Sequence, residues 1–327
     1  MNDLTERSVL SSGHRIHLVE RGPEDGLPVV MIHGFPESWY SWRHQLRALG
    51  DAGHRAIAID VRGYGRSAAP ADIEAYAMTA LVGDVIAVID HLDAADAVVV
   101  GHDWGAPIAW NTALLRPDRV RGVAGLSVPY SGRGDTRPLE AFRAMTGDGP
   151  GDDLFYIDYF QTPGLVEAEV EKDLAGWLRG FYFTASGEAD HSAPPMGLVP
   201  RGHELRERLQ QPGPGQMAWL TEDDFDFYLG EFERTGLTGG FNRYRNIERD
   251  WTELAPWRHA PITVPSLFIG GDKDGPTRWG RAAIDRFDHT LPKLTRSEIL
   301  TDCGHWTQQE RPDEVDELLL EFVAGLR

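Results

Sequence analysis

Cysteine is nearly missing from this chain. Cys303 is the only one in 327 residues, which excludes a disulfide framework and a thiolate zinc site and fits a reducing, cytoplasmic compartment. Long apolar runs are missing too: no window reaches the roughly 18 consecutive apolar residues of a membrane span. Met1 to Arg7 has no basic region leading into an apolar one, so no signal peptide is expected. Positive charge is scarce. Lys+Arg 32 against Asp+Glu 51 gives a formal net charge of −19, which opposes DNA, RNA or an anionic membrane surface as partner. The acids are scattered, as on a solvated surface. What remains is ordinary globular material, 41% hydrophobic and 25% charged, which excludes disordered, collagenous and coiled-coil chains. At about 100–200 residues per domain, the length fits one large domain or a core carrying one inserted unit.

The hydrophobic pattern separates these two parts. Arg15 to Val19 alternates polar and apolar residues, as a half-exposed strand does. Leu27 to Ile32, Arg55 to Ile59 and Ala97 to Val100 are short unbroken apolar runs, as in strands covered on both faces, and Arg121 to Val128 continues the series. Helical periodicity runs over Tyr76–Leu92 and Ala106–Leu115. Strand and helix in alternation predict a mostly parallel sheet flanked by helices. From Pro129 to Pro256 the alternation stops. Aromatics crowd in, Glu167–Arg179 and Asp223–Arg234 have helical amphipathicity, and a Pro/Gly-rich stretch runs from Ser186 to Gly215. Alternation returns with Ser266–Ile269, a helix near Arg278–Phe287, a strand near Thr295–Leu300 and a last helix over Pro312–Leu326. The expected division is an α/β core over 1–128 and 257–327, with a helical insertion over 129–256.

Gly101-His102-Asp103-Trp104-Gly105 follows the Ala97–Val100 strand and opens a helix, which is the setting of a nucleophile elbow. Flanking glycines let the chain turn sharply and leave the central side chain standing above the sheet. That side chain is Asp103. A carboxylate is ionised at neutral pH, needs no base to activate it, and can displace at a saturated carbon to leave an alkyl ester. The partners follow in the order nucleophile, acid, histidine. Asp272 and Asp274 lie just beyond the Ser266–Ile269 strand, and His305 just beyond the strand ending at Leu300. His305 would activate water against the ester, and Asp274, with Asp272 as rival, would orient the imidazole. Backbone amides of Trp104 and of Phe35, in the loop after the Leu27–Ile32 strand, would hold the oxyanion.

Taken together, His33-Gly34-Phe35-Pro36-Glu37-Ser38-Trp39-Tyr40-Ser41-Trp42-Arg43, the elbow, and Gly304-His305-Trp306 resemble an epoxide hydrolase of the α/β-hydrolase superfamily, of the soluble and bacterial type. The resemblance spans Arg15 to Leu326. It implies an α/β-hydrolase fold in which the insertion is a cap. It also implies that Tyr156, in Tyr156-Ile157-Asp158-Tyr159-Phe160-Gln161, and Tyr244, in Asn242-Arg243-Tyr244-Arg245-Asn246, protonate the oxygen of the opening ring. Tyr159 is the alternative to Tyr156.

The implied reaction is epoxide plus water to vicinal diol, with no cofactor and no metal, on a small hydrophobic substrate, by a monomer or homodimer. Trp42 and Phe160, with Phe35 and Trp104, are expected to line an apolar pocket. A haloalkane or haloacid dehalogenase shares the Asp nucleophile, but a departing halide needs no proton, and two phenols would be superfluous. A non-catalytic binder on the same fold would have no use for the full set. Gly63-Tyr64-Gly65-Arg66-Ser67-Ala68 imitates a dinucleotide fingerprint, and reads instead as a turn after a strand. Cys303 reads as an inert small residue.

Overall fold

The structure, a computed structural model, describes residues 3–146 and 153–326. Its framework is an eight-stranded sheet in the order β1-β2-β4-β3-β5-β6-β9-β10. The strands are β1 (Thr5–Ser11), β2 (His14–Arg21), β3 (Pro28–Ile32), β4 (Arg55–Ile59), β5 (Ala97–His102), β6 (Val120–Leu126), β9 (Ser266–Gly271) and β10 (Leu294–Leu300). A separate two-stranded ribbon pairs β7 (Leu154–Phe155) with β8 (Leu198–Val199). From β4 to β10 the sheet is parallel, and β1 and β2 join it antiparallel. The unbroken apolar runs become its centre: every residue of β4, β5 and β9 is buried, because helices cover both faces. These include α1 (Arg43–Asp51), α2 (Met78–His91) and α3 (Gly105–Leu115). β1 was not anticipated. Its Thr5-Glu6-Arg7-Ser8 half is exposed, so this edge strand shows no apolar signature.

Between β6 and β9 the chain forms α4 (Pro138–Thr146), α5 (Tyr156–Tyr159), α6 (Leu165–Val170), α7 (Leu174–Ala185), α8 (Glu222–Thr235), α9 (Thr238–Tyr244) and α10 (Ile247–Glu253). The helix expected over Glu167–Arg179 is thus two helices. The first stops at Val170, and Asp173 caps the next by accepting from the Gly176 amide, the competition with helix interior that short polar side chains offer. α8 starts where a capping box places it, at Thr221 with Asp224 three residues on. The helix expected near Arg278–Phe287 is likewise divided at Gly280 into short turns, the first being α11 (Gly275–Trp279). The segment between β6 and β9 is fastened over the sheet by long-range polar contacts: Tyr182 donates to Pro36 O at 2.6 Å, Tyr40 to Asp224 at 2.8 Å, and the Met78 amide to Asp250 at 2.7 Å. No helix among the described residues is long and apolar enough to cross a membrane.

Parallel strands all present their C-terminal ends on one side, and ligand sites of open α/β sheets form there. The loops after β3, β5, β6, β9 and β10 carry Phe35, Asp103, Ser127, Asp274 and His305 to that edge.

Candidate active site

The turn after β5 is tight. Asp103 has φ of 49°, a region that L side chains with a Cβ rarely occupy. Its neighbours leave no space for side chains: a Cβ on Gly101 would sit 2.0 Å from Gly105 O, and one on Gly105 would sit 2.0 Å from Ile32 O. These close approaches, more than φ, require glycine, and they project Asp103 from the sheet edge. Gly34 matters in the same way, since its Cβ would collide with that of Asp103 at 2.3 Å. The Phe35 amide consequently donates to Asp103 Oδ1 at 2.8 Å. Asp103 Oδ2 lies 3.4 Å from His305 Nε2.

His305 donates through Nδ1 to Asp274 Oδ1 at 2.8 Å. Asp274 is fully buried, and its Oδ2 is held by Ser127 Oγ at 2.7 Å, Thr277 Oγ1 at 2.7 Å and the Thr277 amide at 3.1 Å. Asp272, the rival, points away and accepts from the Cys303 amide at 3.2 Å. Burial works to raise the Asp103 pKa, but the His305 hydrogen bond and charge outweigh it and hold the carboxyl below its usual range. Burial works to lower the His305 pKa, but Asp274 and then Asp103 hold the imidazole well above its usual value. Both shifts favour a carboxylate beside an imidazolium.

A second buried pair underlies the first. Glu37 Oε2 faces His102 Nδ1 at 2.8 Å and accepts from the Gly34 amide at 3.0 Å, while Oε1 accepts from Gln308 and Gln309 at 3.2 and 3.0 Å. His102 Nε2 donates to His305 O at 2.7 Å. His102 thus points beneath the elbow, as a flanking residue of that turn should, and ties the loop of Phe35 to the loop of His305. The only hint of this in the sequence is a glutamate amid the aromatics that follow His33.

Tyr156 from α5 and Tyr244 from α9 approach from the opposite side, with ring centroids 5.9 Å apart. Burial drives both phenols upward, Asp103 adds to the effect, and each responds to the other. Both stay protonated and can donate. Tyr159 is turned away, donating to Glu169 at 2.7 Å beside the Trp177 indole. Tyr156, Tyr244, Asp103, His305 and Asp274 line one cavity of about 490 Å³, whose apolar wall includes Phe35, Phe181, Met196 and Trp279. A larger surface groove, about 1130 Å³, contains none of the five; volume alone does not mark the chemistry.

A family profile described as the alpha/beta hydrolase fold matches residues 28–312. Epoxide hydrolase B of Mycobacterium tuberculosis is 44% identical over 96% of this chain and 97% of its own length. Epoxide hydrolase A of the same organism is 45% identical over 98% of each. Among solved structures, an epoxide hydrolase from an endophytic Streptomyces superposes with a TM-score of 0.94 at 54% identity, over 100% of this chain and 97% of that one. Epoxide hydrolase A from Mycobacterium thermoresistibile gives 0.92 at 44%, over 99% of each. The chain belongs to the α/β-hydrolase family, among its epoxide hydrolases.

Three of the aromatics expected at the pocket wall of this α/β hydrolase are elsewhere. Trp42 is fully buried at the end of the short helical turn Trp39–Trp42 and does not reach the cavity. Phe160 is also fully buried and stands one layer back, edge-on to Tyr156 and Tyr244 at 5.5 and 5.0 Å. The Trp104 indole likewise packs on the Tyr244 edge at 5.0 Å, under the Arg243 guanidinium, and is not part of the wall. Aromatic content predicted burial but could not say which layer each ring joins. The wall draws instead on Pro194, Pro195 and Met196 of the Pro/Gly-rich stretch, a loop whose length and composition were the available signal. Ser127 had no signal in the sequence. The Gly63–Ala68 turn opens no α-helix: Asp60 accepts from the Arg66 amide at 2.9 Å, and the next regular element is the 3₁₀ turn Ile73–Tyr76. It lacks the helix N-terminus that a pyrophosphate requires. Cys303 is buried, and burial pushes its thiol up.

Proposed function

We propose that this protein hydrolyses an epoxide to a vicinal diol through an alkyl ester on Asp103, with residues 129–256 acting as the cap that brings Tyr156 and Tyr244 over the core. The observation that carries this reading is the convergence of a carboxylate, an imidazole and two protonated phenols on one partly apolar cavity.

In the first step Asp103 Oδ2 attacks a ring carbon. A C–O bond forms as the ring C–O bond breaks, and the ring oxygen, now an alkoxide still attached to the substrate, takes a proton from Tyr156 or Tyr244. Asp103 Oδ1 stays on the Phe35 amide. Esterification removes the carboxylate charge next to His305, so the imidazole gives up its extra proton, which restores the phenolate to a phenol, and Nε2 becomes a base. In the second step His305 Nε2 takes a proton from water as that water attacks the ester carbon. Asp274 steadies the imidazolium, and the oxyanion at Oδ1 rests on the Phe35 and Trp104 amides, each donor worth about 2.7–4 kcal/mol in comparable sites. Collapse breaks the bond between the ester carbon and the former Oδ2, which leaves in the diol with the proton from His305, while the water oxygen stays in the Asp103 carboxyl, whose proton passes back to His305.

The substrate is a small, neutral, apolar epoxide, matched to Phe35, Phe181, Met196 and Trp279. One chain holds every group this chemistry uses, so a monomer suffices, and a homodimer would work the same way. The buried single thiol suits the cytoplasm. A dehalogenase would share Asp103 but leave both phenols without a task.

A single turnover in labelled water, with protein in excess over epoxide, tests the ester. The first diol should carry an unlabelled Asp103 oxygen, and the label should appear on the Asp103 peptide. Label entering that first diol directly would mean that water opens the ring, and the reading would fail.

A further inference from the structure

We propose that Ser127 is a positioning residue for ester hydrolysis: its hydroxyl keeps the Nδ1 proton on His305 and fixes the plane of the Asp274 carboxylate, so that the base lone pair stays on Nε2. This rests on the reading of His305 as the base in the second step.

Ser127 is the first residue beyond β6 and is fully buried. Its backbone is anchored through its amide, which donates to Ile269 O at 2.8 Å; its carbonyl lies 2.9 Å from Thr277 Oγ1, whose one proton goes to the nearer Asp274 Oδ2. Its φ is 69°, left-handed backbone where glycine would be relaxed and serine is not. The hydroxyl is therefore presented at a local conformational cost.

Ser127 Oγ lies 2.7 Å from Asp274 Oδ2 and 3.0 Å from His305 Nδ1. A hydroxyl has one proton and two lone pairs, and an ionised carboxylate only accepts. The Ser127 proton is thus committed to Asp274, which leaves a lone pair facing Nδ1. Nδ1 now meets two acceptors, Ser127 Oγ and Asp274 Oδ1 at 2.8 Å. It must carry hydrogen in both the neutral and the charged imidazole, and only Nε2, on the Asp103 side, can exchange a proton. The same hydroxyl joins the two Thr277 donors on Asp274 Oδ2, which keeps Oδ1 turned to the ring. The other ionisable neighbours of the ring, Asp103, His102 and Glu310, act from elsewhere.

Ring opening does not need a neutral base, whereas ester hydrolysis does. Loss of the hydroxyl should therefore divide the two steps. With styrene oxide as probe, rapid quench and mass spectrometry of the Asp103 peptide follow both steps in the wild type, Ser127→Ala and Ser127→Gly. Both variants should form the adduct within about twofold of the wild-type rate and hydrolyse it about tenfold more slowly, the weight of one hydrogen bond, so that the adduct accumulates. Ser127→Gly also relieves the backbone strain at this position, and thermal unfolding of both variants separates slow hydrolysis from a loss of folded protein. Wild-type hydrolysis rates in both variants would overturn the proposal, as would equal slowing of both steps. Absence of any adduct in the wild type and in His305→Gln, where it should be trapped, would instead overturn the ester mechanism and this proposal with it.

Discussion

Removing a single phenolic oxygen isolates the ring-opening step. In Tyr156→Phe and Tyr244→Phe the rings keep their packing: Tyr156 against Phe155 and Phe160 at 4.8 and 5.5 Å, and Tyr244 against Phe35, Trp104 and Phe160 at 5.4, 5.0 and 5.0 Å. Folding stability should change by no more than about 1 kcal/mol, the net worth of one hydrogen bond. The kinetic loss should be larger. A fixed donor facing developing negative charge in a water-excluded site is worth about 2.7–4 kcal/mol, or roughly 10²–10³ in rate. Each single variant should form the Asp103 ester slower by that order. Because either phenol can donate alone, the double variant should lose more than the product of the two single losses. Hydrolysis of an ester already formed should stay within about twofold of wild type, since no phenol takes part in it. Rapid-quench mass spectrometry of the Asp103 peptide separates the two rates. Ester formation within about threefold of wild type in either single variant, or a loss confined to hydrolysis, would refute the assignment of the phenols as proton donors.

Glu37→Gln leaves His102 without its carboxylate in a site where both side chains are fully buried. Breaking a buried pair typically costs about 3–5 kcal/mol, so the urea midpoint should fall accordingly, and a loss under about 1 kcal/mol would show that the pair is not a structural tie. The pH dependence has a definite sign. The raised His305 pKa contributes stability that is fully present below its unfolded value, about 6.5, and is lost as pH rises through the folded value. The lowered Asp103 pKa contributes stability present above about 3.9 and lost as pH falls through its folded value. Esterification discharges Asp103 while Asp274, His102 and Glu310 remain around the ring. The midpoint for ester hydrolysis should therefore lie below the His305 midpoint that NMR records in the free protein, and coincident midpoints would contradict the coupling.

The local signals in this sequence reach far because the features they encode are local. An apolar run with a glycine-flanked acid after it specifies a buried strand and a sharp turn by backbone sterics alone, and these marked β5, Asp103 and the order of strand ends that carries His305. The alternation of strands and helices sets a parallel sheet, and it halts after β6, whose last residue is Leu126, before the helices that start at Pro138. Which side chains meet is a different matter, decided by rotation and register across the sheet. Asp272 and Asp274 share one loop, and only the packing of that loop on β10 turns Asp274 to the imidazole and Asp272 to a backbone amide. Tyr156 and Tyr159 share one helical turn, and the nearby Glu169 takes the second. Ser127 and Glu37 reach the site through neighbours more than 140 and 60 residues away in the chain, contacts that leave no period or spacing in the sequence. Trp42 and Phe160 show the converse: hydrophobicity settles that a ring will be buried, and only the assembled layers settle whether it faces the cavity.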